Sequence, residues 1–479
     1  MLVFGLLVGA LILFLSGVPK SYPLAAQPIP PPPQPAHLGG GLDGFDSPYL
    51  GHTGSWDGKG GAMFGASKGP DMCKERAMGL RWTFMPVYWR ALEPDGPVDP
   101  ARELPPAWQA LDRFVIAAHE RRLNILMQAP VVGGNAGGPP EWAGRREKGK
   151  SAPANMQALA DFAGKLAERY RPGGALAKRE GWGANYGVRA WELDNEPESY
   201  FTCWKGQGAD YAEFATLATE QIKTVDPHAV IVAPGMAAGK HGLDWLRTTL
   251  DASANCGSPA FRDAGRAFSI GPIADVISFH NYEGLDSAFT DGDRTITQVF
   301  SDVRAVFEEW EQRAPGFTFE RKQDYWHTEG SFDFLGVLSA ERRAAWRFQF
   351  FTRAFAAGIR KVVVMDASPA EQIAVRAYVE ALPNPFPMLP ASDAITIQHG
   401  QAVAFRHPDG PDAEAGQVWI VWSLAGGEGG VVEIPVRRER VRVASVDGKS
   451  KIITAESGRV RIELRGDVKM PPPLIVIDR

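Results

Sequence analysis

Cysteine is scarce in this chain, whose 479 residues contain only Cys73, Cys203 and Cys256. Three cysteines so far apart in sequence form neither a metal-binding cluster nor a disulfide framework. One disulfide with one free thiol, or three buried thiols, would both agree with this pattern. Histidine, aspartate and glutamate also lack the spacing of metal ligands, so the sequence predicts no metal and no cofactor.

Basic blocks and glycine-rich phosphate loops are missing as well. The chain has 51 Lys and Arg residues against 56 Asp and Glu residues, which gives a formal charge of -5. Without a basic patch, nucleic acid is not an expected partner. No predicted strand is followed by the glycine-rich loop that binds dinucleotides or phosphates, which argues against a doubly wound open sheet.

Charge is absent from the N-terminal segment. The first sixteen residues are almost wholly apolar, and Lys20 is the first charged side chain. This run is shorter than the roughly 20 residues of a membrane span, and it lacks the basic start of a standard signal peptide. Together with the proline-rich spacer at 28–35, residues 1–40 are predicted to be an export signal or an uncleaved membrane anchor. We therefore expect a periplasmic, extracellular or membrane-anchored protein.

Short apolar strands alternating with amphipathic helices are abundant between residues 80 and 365. Seven strands can be counted there, and an eighth is expected within 49–66. The predicted helix 105–121, for example, carries Trp108, Leu111 and Phe114 on one face. This α/β alternation predicts a (β/α)₈ TIM barrel over 41–388, with the doubly wound open sheet as the alternative.

The pattern of apolar residues in the sequence changes after residue 390. Short β-branched runs recur about every ten residues, with turn signals such as Asp447-Gly448 between them. This pattern predicts a small antiparallel β-sandwich over 389–479. Its expected role is to pack on the barrel, and carbohydrate binding is the alternative.

Two predicted strands end in a carboxylate. In Trp191–Glu198 (Trp-Glu-Leu-Asp-Asn-Glu-Pro-Glu), the proline stops the strand and leaves Glu196 at its end. The strand that begins at residue 324 similarly ends near Glu329. Between them, His280 and Tyr282 share one face of a strand end because they are two residues apart. In a barrel, all of these ends open on the same rim.

A pair of carboxyl groups on one rim indicates glycoside hydrolysis. One carboxyl group gives a proton to the leaving oxygen, while the other attacks the anomeric carbon or activates water. Glu196 and Glu329 are the predicted pair, and an oligo- or polysaccharide is the expected partner. Trp142 and Trp204 are predicted sugar-stacking platforms, with loop anchoring as the alternative. Other candidates on the rim are Tyr88, Trp89, Asp366, Glu198 and Glu283.

Three motifs, Trp191–Glu198, Ser278–Tyr282 and Trp326–Glu329, resemble the signatures of the retaining (β/α)₈ glycoside hydrolases of clan A. Within that clan the chain is most similar to family 39, which contains β-xylosidases, iduronidases and bacterial exopolysaccharide hydrolases. The resemblance implies a double displacement with Glu196 as acid/base and Glu329 as nucleophile. It also implies that Asn195 binds the sugar 2-hydroxyl and that His280 and Tyr282 are the polar pair of the sixth strand.

Two positions depart from the family pattern. Phe84 stands where an arginine supports the catalytic carboxylates, and Asp194 stands where an aromatic residue is common. By alternation Glu192, Asp194 and Glu196 would share one inward face, so one of them should be protonated or paired with Arg81. The sequence leaves two alternatives to a retaining glycoside hydrolase of this group open. One is a catalytically silent barrel that binds polysaccharide at the cell envelope, and the other is an endo-acting glycanase or exopolysaccharide hydrolase of the same clan.

Overall fold

The computed structural model describes residues 45–51, 72–100, 102, 104–132, 138–147, 152–199, 204, 208–253, 274–283, 285–287, 290–292, 294–313, 324–330, 339–364, 368–383, 386–387, 396–406, 416–423, 429–464 and 473–478. The predicted N-terminal export segment lies outside these ranges, as do Cys203, Cys256 and Asp366. Cys73 is exposed. Within the described part of the chain, no helix is long and apolar enough to cross a membrane.

Eight parallel strands form the barrel. They are β1 (Tyr49–Gly51), β2 (Trp82–Tyr88), β3 (Asn124–Val131), β4 (Ala190–Glu192), β5 (Val230–Ala237), β6 (Val276–His280), β9 (Asp324–Glu329) and β10 (Lys361–Val364). Their order is β1-β10-β9-β6-β5-β4-β3-β2. At the seam between β1 and β2, Gly51 lies so close to the Trp82 carbonyl that a Cβ would collide with it. The prediction of a TIM barrel with its first strand within 49–66 is confirmed, and the open-sheet alternative is wrong.

Helices surround the barrel, and their ends carry recognisable signals. The helix Ala340–Ala357 stops at Gly358, which has a left-handed φ of 102°. The helix Pro369–Ala381 begins with a capping box formed by Ser368 and Glu371, yet the sequence had not predicted this helix. The helices are α1 (Cys73–Ala77), α2 (Trp89–Leu92), α3 (Pro106–Glu120), α4 (Met156–Tyr170), α5 (Ala175–Arg179), α6 (Gly208–Val225), α7 (Lys240–Ser253), α8 (Ile296–Arg313), α9 (Ala340–Ala357) and α10 (Pro369–Ala381), with a 3₁₀ turn at Glu141–Ala143.

The inside of the barrel is apolar at one level and polar at the next. A separate apolar cluster takes at least one buried side chain from each of the eight strands. Its members are Leu50, Trp82, Phe84, Leu126, Ala190, Val230, Val232, Val276, Trp326 and Val363. Two residues further along their strands, the inward positions hold the buried polar residues Gln128, Glu192, Ser278 and Thr328. Since inward positions repeat every two residues, the polar layer lies toward the C-terminal ends of the strands, where barrel active sites form.

Lys361 binds the segment before β1 to the N-terminal end of the barrel. Its ammonium group donates to the carbonyls of Phe45 and Ser47 at 2.8 and 2.7 Å. The same nitrogen lies 4.9 Å from the ring centre of Trp82 and 5.3 Å from that of Trp326. Burial lowers the pKa of Lys361 to about 7, although the charges of nearby aspartates oppose this. The segment before β1 is thereby held across the base of the barrel.

The C-terminal region forms two packed antiparallel sheets, so the sandwich prediction is confirmed. One sheet has the order β11-β13-β14-β19-β16-β17 and the other β12-β15-β18. Two consecutive strands, Thr396–Gln398 and Gly400–Arg406, join different sheets and are divided at His399, which has a φ of 52°. The strands are β11 (Phe386–Pro387), β12 (Thr396–Gln398), β13 (Gly400–Arg406), β14 (Gln417–Ser423), β15 (Gly430–Pro435), β16 (Arg440–Ser445), β17 (Ser450–Thr454), β18 (Arg459–Leu464) and β19 (Leu474–Asp478), and β7 (Leu285–Ser287) pairs with β8 (Thr290–Gly292) near the barrel.

The six-stranded sheet lies between the barrel and the smaller sheet. Along β14, Val418, Ile420 and Trp422 belong to the same apolar core as the barrel helices. The alternate residues Trp419 and Val421 belong to the core between the two sheets. One sheet therefore contributes to two cores, which fits the expected role of the sandwich as a unit packed on the barrel.

Replacing Ile420 by alanine is expected to destabilise the whole protein. The side chain is fully buried in the core shared with the barrel, and such truncations cost about 2–5 kcal/mol of unfolding free energy. Calorimetry should show one transition at a lower temperature. Ile452→Ala is the matched control, because Ile452 is 53% exposed and its loss should change stability by less than about 0.5 kcal/mol. Two separate transitions, of which only the smaller moves, would contradict the shared core.

Candidate active site

Glu196 and Glu329 lie together at the C-terminal end of the barrel. Glu329 is the last residue of β9, and a register shift between β6 and β9 places it opposite His280. Glu196 lies four residues beyond the end of β4, where its N–H donates to the Gly235 carbonyl at 3.0 Å. One carboxylate oxygen of each glutamate and a ring nitrogen of His280 all lie within 4.8 Å of one another. The structure thus brings together the two carboxylates that the sequence selected.

The chain leaves the regular strand earlier than the sequence suggested. β4 ends at Glu192, and both Asp194 and Glu196 have left-handed backbone conformations, with φ of 64° and 44°. Non-glycine residues adopt this region rarely, and aspartate does so more readily than glutamate. The prediction that Glu192, Asp194 and Glu196 share one face by strand alternation is therefore wrong beyond Glu192. Strained residues of this kind persist where their surroundings hold them, often at functional sites.

His280 interacts electrostatically with both carboxylates. Its Nδ1 lies 3.0 Å from Glu196 Oε1, and its ring is buried. Burial by itself lowers the pKa of His280, but the charges on Glu329, Glu196 and Glu192 outweigh burial and raise it to about 9. At neutral pH the ring is therefore an imidazolium whose Nδ1–H donates to Glu196.

Two further side chains of the site, Tyr282 and His327, are neutral. The Tyr282 hydroxyl donates to Glu329 Oε1. Burial and the charge on Glu329 raise the pKa of Tyr282 well above its ordinary value, so it keeps its proton. His327 Nε2 accepts from the backbone N–H of Asn281 at 3.2 Å. Burial and the positive charge on His280 lower the pKa of His327 to about 3, so this second ring stays neutral.

Asn195 is oriented by the polar layer beneath the site. The Gln128 amide nitrogen donates to Asn195 Oδ1 at 2.9 Å and to Glu192 Oε2 at 3.1 Å. This contact identifies the oxygen of the Asn195 amide and leaves its nitrogen as a donor group. Burial raises the pKa of Glu192, although the charge on His280 opposes it. The shift has the direction that the sequence predicted for crowded carboxylates, but burial causes it.

Glu198 and Glu283, the other two glutamates considered for the rim, are held inside the structure. Glu198 is buried, and burial together with the charge on Glu196 raises its pKa well above the ordinary value. Glu283 accepts from the Trp346 indole at 2.6 Å and from the Arg353 guanidinium at 2.7 Å. Glu198 Oε1 accepts from the backbone N–H of Ala237 at 3.0 Å, so both glutamates have structural partners, which favours Glu196 and Glu329 as the reacting pair.

Neither the arginine of the family pattern nor Arg81 reaches the site. Phe84 takes the place of that arginine and packs in the apolar cluster of the barrel interior. Arg81 precedes β2, whereas Glu192 is level with Gln128 and Pro86, five residues further along that strand. Five strand residues span roughly 16 Å, so the expected pairing with Arg81 is wrong. The positive charge next to the carboxylates comes instead from the histidine of β6.

Trp204 is not a sugar-stacking platform. It is fully buried, its ring stacks on Phe214 with 5.4 Å between centres, and its indole N–H donates to the Asp194 carboxylate. A ring with no exposed face cannot bind a sugar, so that prediction is wrong and anchoring is the better description. Trp142 is half-buried and donates to the Glu93 carbonyl at 2.8 Å, and its sugar contact stays a prediction. Of the weaker candidates, Trp89 is fully buried and Tyr88 is half-buried.

Glu196, His280 and Glu329 also form the group of side chains that could hold a metal ion within the described residues. The sequence predicted no metal. The donor atoms already have partners of their own, since His280 Nδ1 contacts Glu196 and Tyr282 donates to Glu329. A cation would have to displace the His280 proton, so the donor set fits proton transfer better than metal binding.

His280 is expected to keep its proton through neutral pH. Its pKa of about 9 exceeds the value of about 6.5 in an unfolded chain. The stability that this proton adds is therefore complete below about pH 6.5 and lost as the pH rises to about 9. The difference in unfolding free energy between the wild type and His280→Gln should shrink over that window by on the order of 3 kcal/mol.

Urea unfolding at several pH values measures this difference directly. The lowered pKa of Lys361 acts in the opposite sense, since it makes stability rise with pH above about 7. That contribution is common to both proteins and cancels in the difference. An NMR titration of the imidazole signals, assigned with His280→Gln, should show a midpoint near 9 for His280. A stability difference that stays constant between pH 6.5 and 9 would contradict the imidazolium.

Solved structures share this fold, whereas no family model and no curated protein matches the chain. A glucosidase from Croceicoccus marinus has a TM-score of 0.54 at 14% identity, over 86% of this chain and 92% of that one. A monomeric beta-xylosidase from Caulobacter crescentus has a TM-score of 0.53 at 15% identity, over 92% and 97%. The GH39 enzyme from Xanthomonas axonopodis pv. citri has a TM-score of 0.50 at 12% identity, over 92% and 94%. The chain therefore shares the fold of these solved structures.

Proposed function

We propose that the protein is a retaining glycoside hydrolase that cleaves O-glycosidic bonds of an oligo- or polysaccharide by double displacement. The observation that carries this proposal is the approach of Glu196 and Glu329, whose nearest carboxylate oxygens are within 4.8 Å. Retaining enzymes hold their carboxyl groups about 5–5.5 Å apart, whereas inverting enzymes leave about 6.5–9.5 Å for a water molecule. An approach of the nearest carboxylate oxygens to within 4.8 Å agrees with the closer of these two spacings and supports direct attack on the sugar.

In the first step, a Glu329 oxygen attacks the anomeric carbon while the bond to the leaving oxygen breaks. The His280 imidazolium, whose Nδ1 lies 3.0 Å from Glu196 Oε1, passes its proton to Glu196, and Glu196 gives a proton to that oxygen. The His280 ring is neutral once the leaving group has departed. In the second step, Glu196 takes a proton from water, the water oxygen attacks the same carbon, and the ester to Glu329 breaks. Tyr282 holds Glu329 in both steps through its hydroxyl.

Two further candidates use the same site differently. An endo-acting glycanase or exopolysaccharide hydrolase would keep both glutamates and differ in the length of the cleft. A catalytically silent polysaccharide-binding barrel would be favoured by Phe84, which replaces the supporting arginine. The close contact of the two carboxylates with His280 and Tyr282 argues against the silent barrel, because binding alone needs no such arrangement.

We also propose that the protein is exported and either released or tethered at its N-terminus. The support is the apolar run of the first sixteen residues and the proline-rich spacer at 28–35. Cell fractionation with N-terminal sequencing of the mature chain tests this proposal. A cytoplasmic protein that retains residues 1–40 would contradict it.

The stereochemistry of the first product tests the proposed function. Aryl glycosides of several sugars, including β-xylosides and β-glucosides, are screened, and the anomeric proton of the product is followed by NMR during the first minutes. We expect the first product to have the anomeric configuration of the substrate. An inverted first product would contradict the double displacement. Polysaccharide binding without turnover of any glycoside would favour the silent barrel.

A further inference from the structure

Asp194 is a buried carboxylate immediately below the proposed acid/base. It is fully buried and accepts from the backbone N–H of Asn195 at 2.8 Å and of Val132 at 3.3 Å. Its other oxygen accepts from the indole N–H of Trp204. The donors come from the end of β3, from the loop itself and from a residue ten positions further along the chain. One carboxylate thus ties three segments together.

A buried carboxylate is costly unless several donors compensate it. Asp194 also has a left-handed φ of 64°, a conformation that an aspartate side chain bonded to nearby backbone tolerates well. The carboxylate therefore stabilises the turn from which Glu196 projects.

The backbone on either side of Glu196 is held as well. The Tyr211 hydroxyl donates to the Leu193 carbonyl at 2.8 Å, and the Glu196 N–H donates to the Gly235 carbonyl at 3.0 Å. Glu196 itself has a left-handed φ of 44°. These backbone contacts fix the ends of the turn, and the Asp194 carboxylate fixes its centre.

We propose that Asp194, held by the Trp204 indole, is the positioning residue that presents Glu196 to the leaving-group oxygen. This inference rests on the proposed function. Neither Asp194 nor Trp204 touches the substrate in this account. Their loss should disturb proton transfer by Glu196 and should leave the attack by Glu329 on the anomeric carbon largely intact.

The leaving group distinguishes these two events. A 2,4-dinitrophenolate leaves without a proton, whereas a phenolate needs the proton from Glu196. A displaced acid should therefore slow phenyl glycosides far more than dinitrophenyl glycosides. A displacement of about 1 Å can cost roughly 100-fold in rate, which sets the scale of the effect.

Two variants each change one partner of the hydrogen bond between Trp204 and Asp194. Asp194→Asn keeps the shape and the left-handed preference but removes the charge, and Trp204→Phe keeps a ring but removes the N–H. We expect each to lower kcat/KM for the phenyl glycoside by about 10- to 100-fold. For the dinitrophenyl glycoside the loss should be within about 3-fold, and the double variant should be little worse than either single one, because both break one contact.

Trp108→Phe is the matched control. It also removes a buried indole N–H, which donates to the Leu92 carbonyl at 3.1 Å, away from Glu196 and Glu329. It should lower the melting temperature without changing the dependence of kcat/KM on the leaving group. Equal losses on both glycosides in the Asp194 and Trp204 variants, or no loss, would overturn the inference alone. A wild type that turns over no glycoside would overturn the proposed function and this inference with it.

Discussion

Replacing Glu329 by glutamine should lower kcat/KM on every glycoside that the wild type hydrolyses by roughly 10⁴-fold or more. Glutamine has the same shape and can still accept from the Tyr282 hydroxyl, which in the wild type donates to Glu329 Oε1. It cannot attack the anomeric carbon as a carboxylate does. Initial rates measured with freshly purified protein, together with an unchanged melting temperature, would show that chemistry and not folding is lost.

Glu283→Gln is the informative control for this variant. Glu283 is a carboxylate only three residues after His280, but it is bound to Trp346 and Arg353 inside the structure. Its replacement should lower the melting temperature and leave kcat/KM within several-fold of the wild-type value. A folded Glu283→Gln protein without activity, beside an active Glu329→Gln protein, would show that the nucleophile has been assigned to the wrong carboxylate.

Replacing Glu196 by alanine should remove acid/base catalysis and leave the nucleophile in place. General acid–base catalysis contributes about 10²–10⁴-fold, so hydrolysis of a phenyl glycoside should fall by that factor. A dinitrophenyl glycoside should still form the glycosyl-enzyme, which then accumulates because no base activates water. Added azide, which needs no base, should attack it and release a glycosyl azide with the configuration of the substrate.

Azide also separates the roles of the two glutamates. The Glu329→Ala protein forms no glycosyl-enzyme, so azide attacking it directly would give an azide of inverted configuration. The two products are distinguished by the coupling constant of their anomeric proton. An inverted azide from Glu196→Ala and a retained one from Glu329→Ala would exchange the roles given to these residues.

The sequence was sufficient to predict the barrel and the position of one of the two carboxylates at the end of its strand. Apolar residues recur about every two residues in strands and about every 3.6 residues in helices, and both patterns can be recognised locally in the sequence. Glu329 follows such a strand without a break, and the structure places it as the last residue of β9. The strand β17 was not predicted, because its residues are mostly exposed and show no buried stripe.

The loop that carries Glu196 could not be predicted, because long-range contacts determine it. Its left-handed turn depends on Asp194 and on donors at Val132 and Trp204, which lie 62 residues before and 10 residues after it. A tryptophan following a strand has the same local sequence signal whether its ring faces a cleft or the core. For this reason Trp204 was assigned to sugar binding, although it is buried against Phe214.

The charge of His280 also arises from tertiary structure. Glu329, Glu196 and Glu192 reach the ring from β9, from the loop after β4 and from β4 itself. No local pattern shows that three carboxylates converge on one histidine. The residue types can be read from the sequence, whereas only the fold shows that the histidine is the cation of the site.

Trapping of the glycosyl-enzyme tests the central claim most directly. A 2-deoxy-2-fluoro glycoside with a dinitrophenyl leaving group, based on a sugar that the protein hydrolyses, forms the intermediate and slows its breakdown. Mass spectrometry should show one adduct per chain, and peptide sequencing should place it on Glu329. Glu196→Ala should still form this adduct, and Glu329→Gln should not. No adduct on an enzyme that turns over the parent glycoside, or an adduct on another carboxylate, would contradict the account.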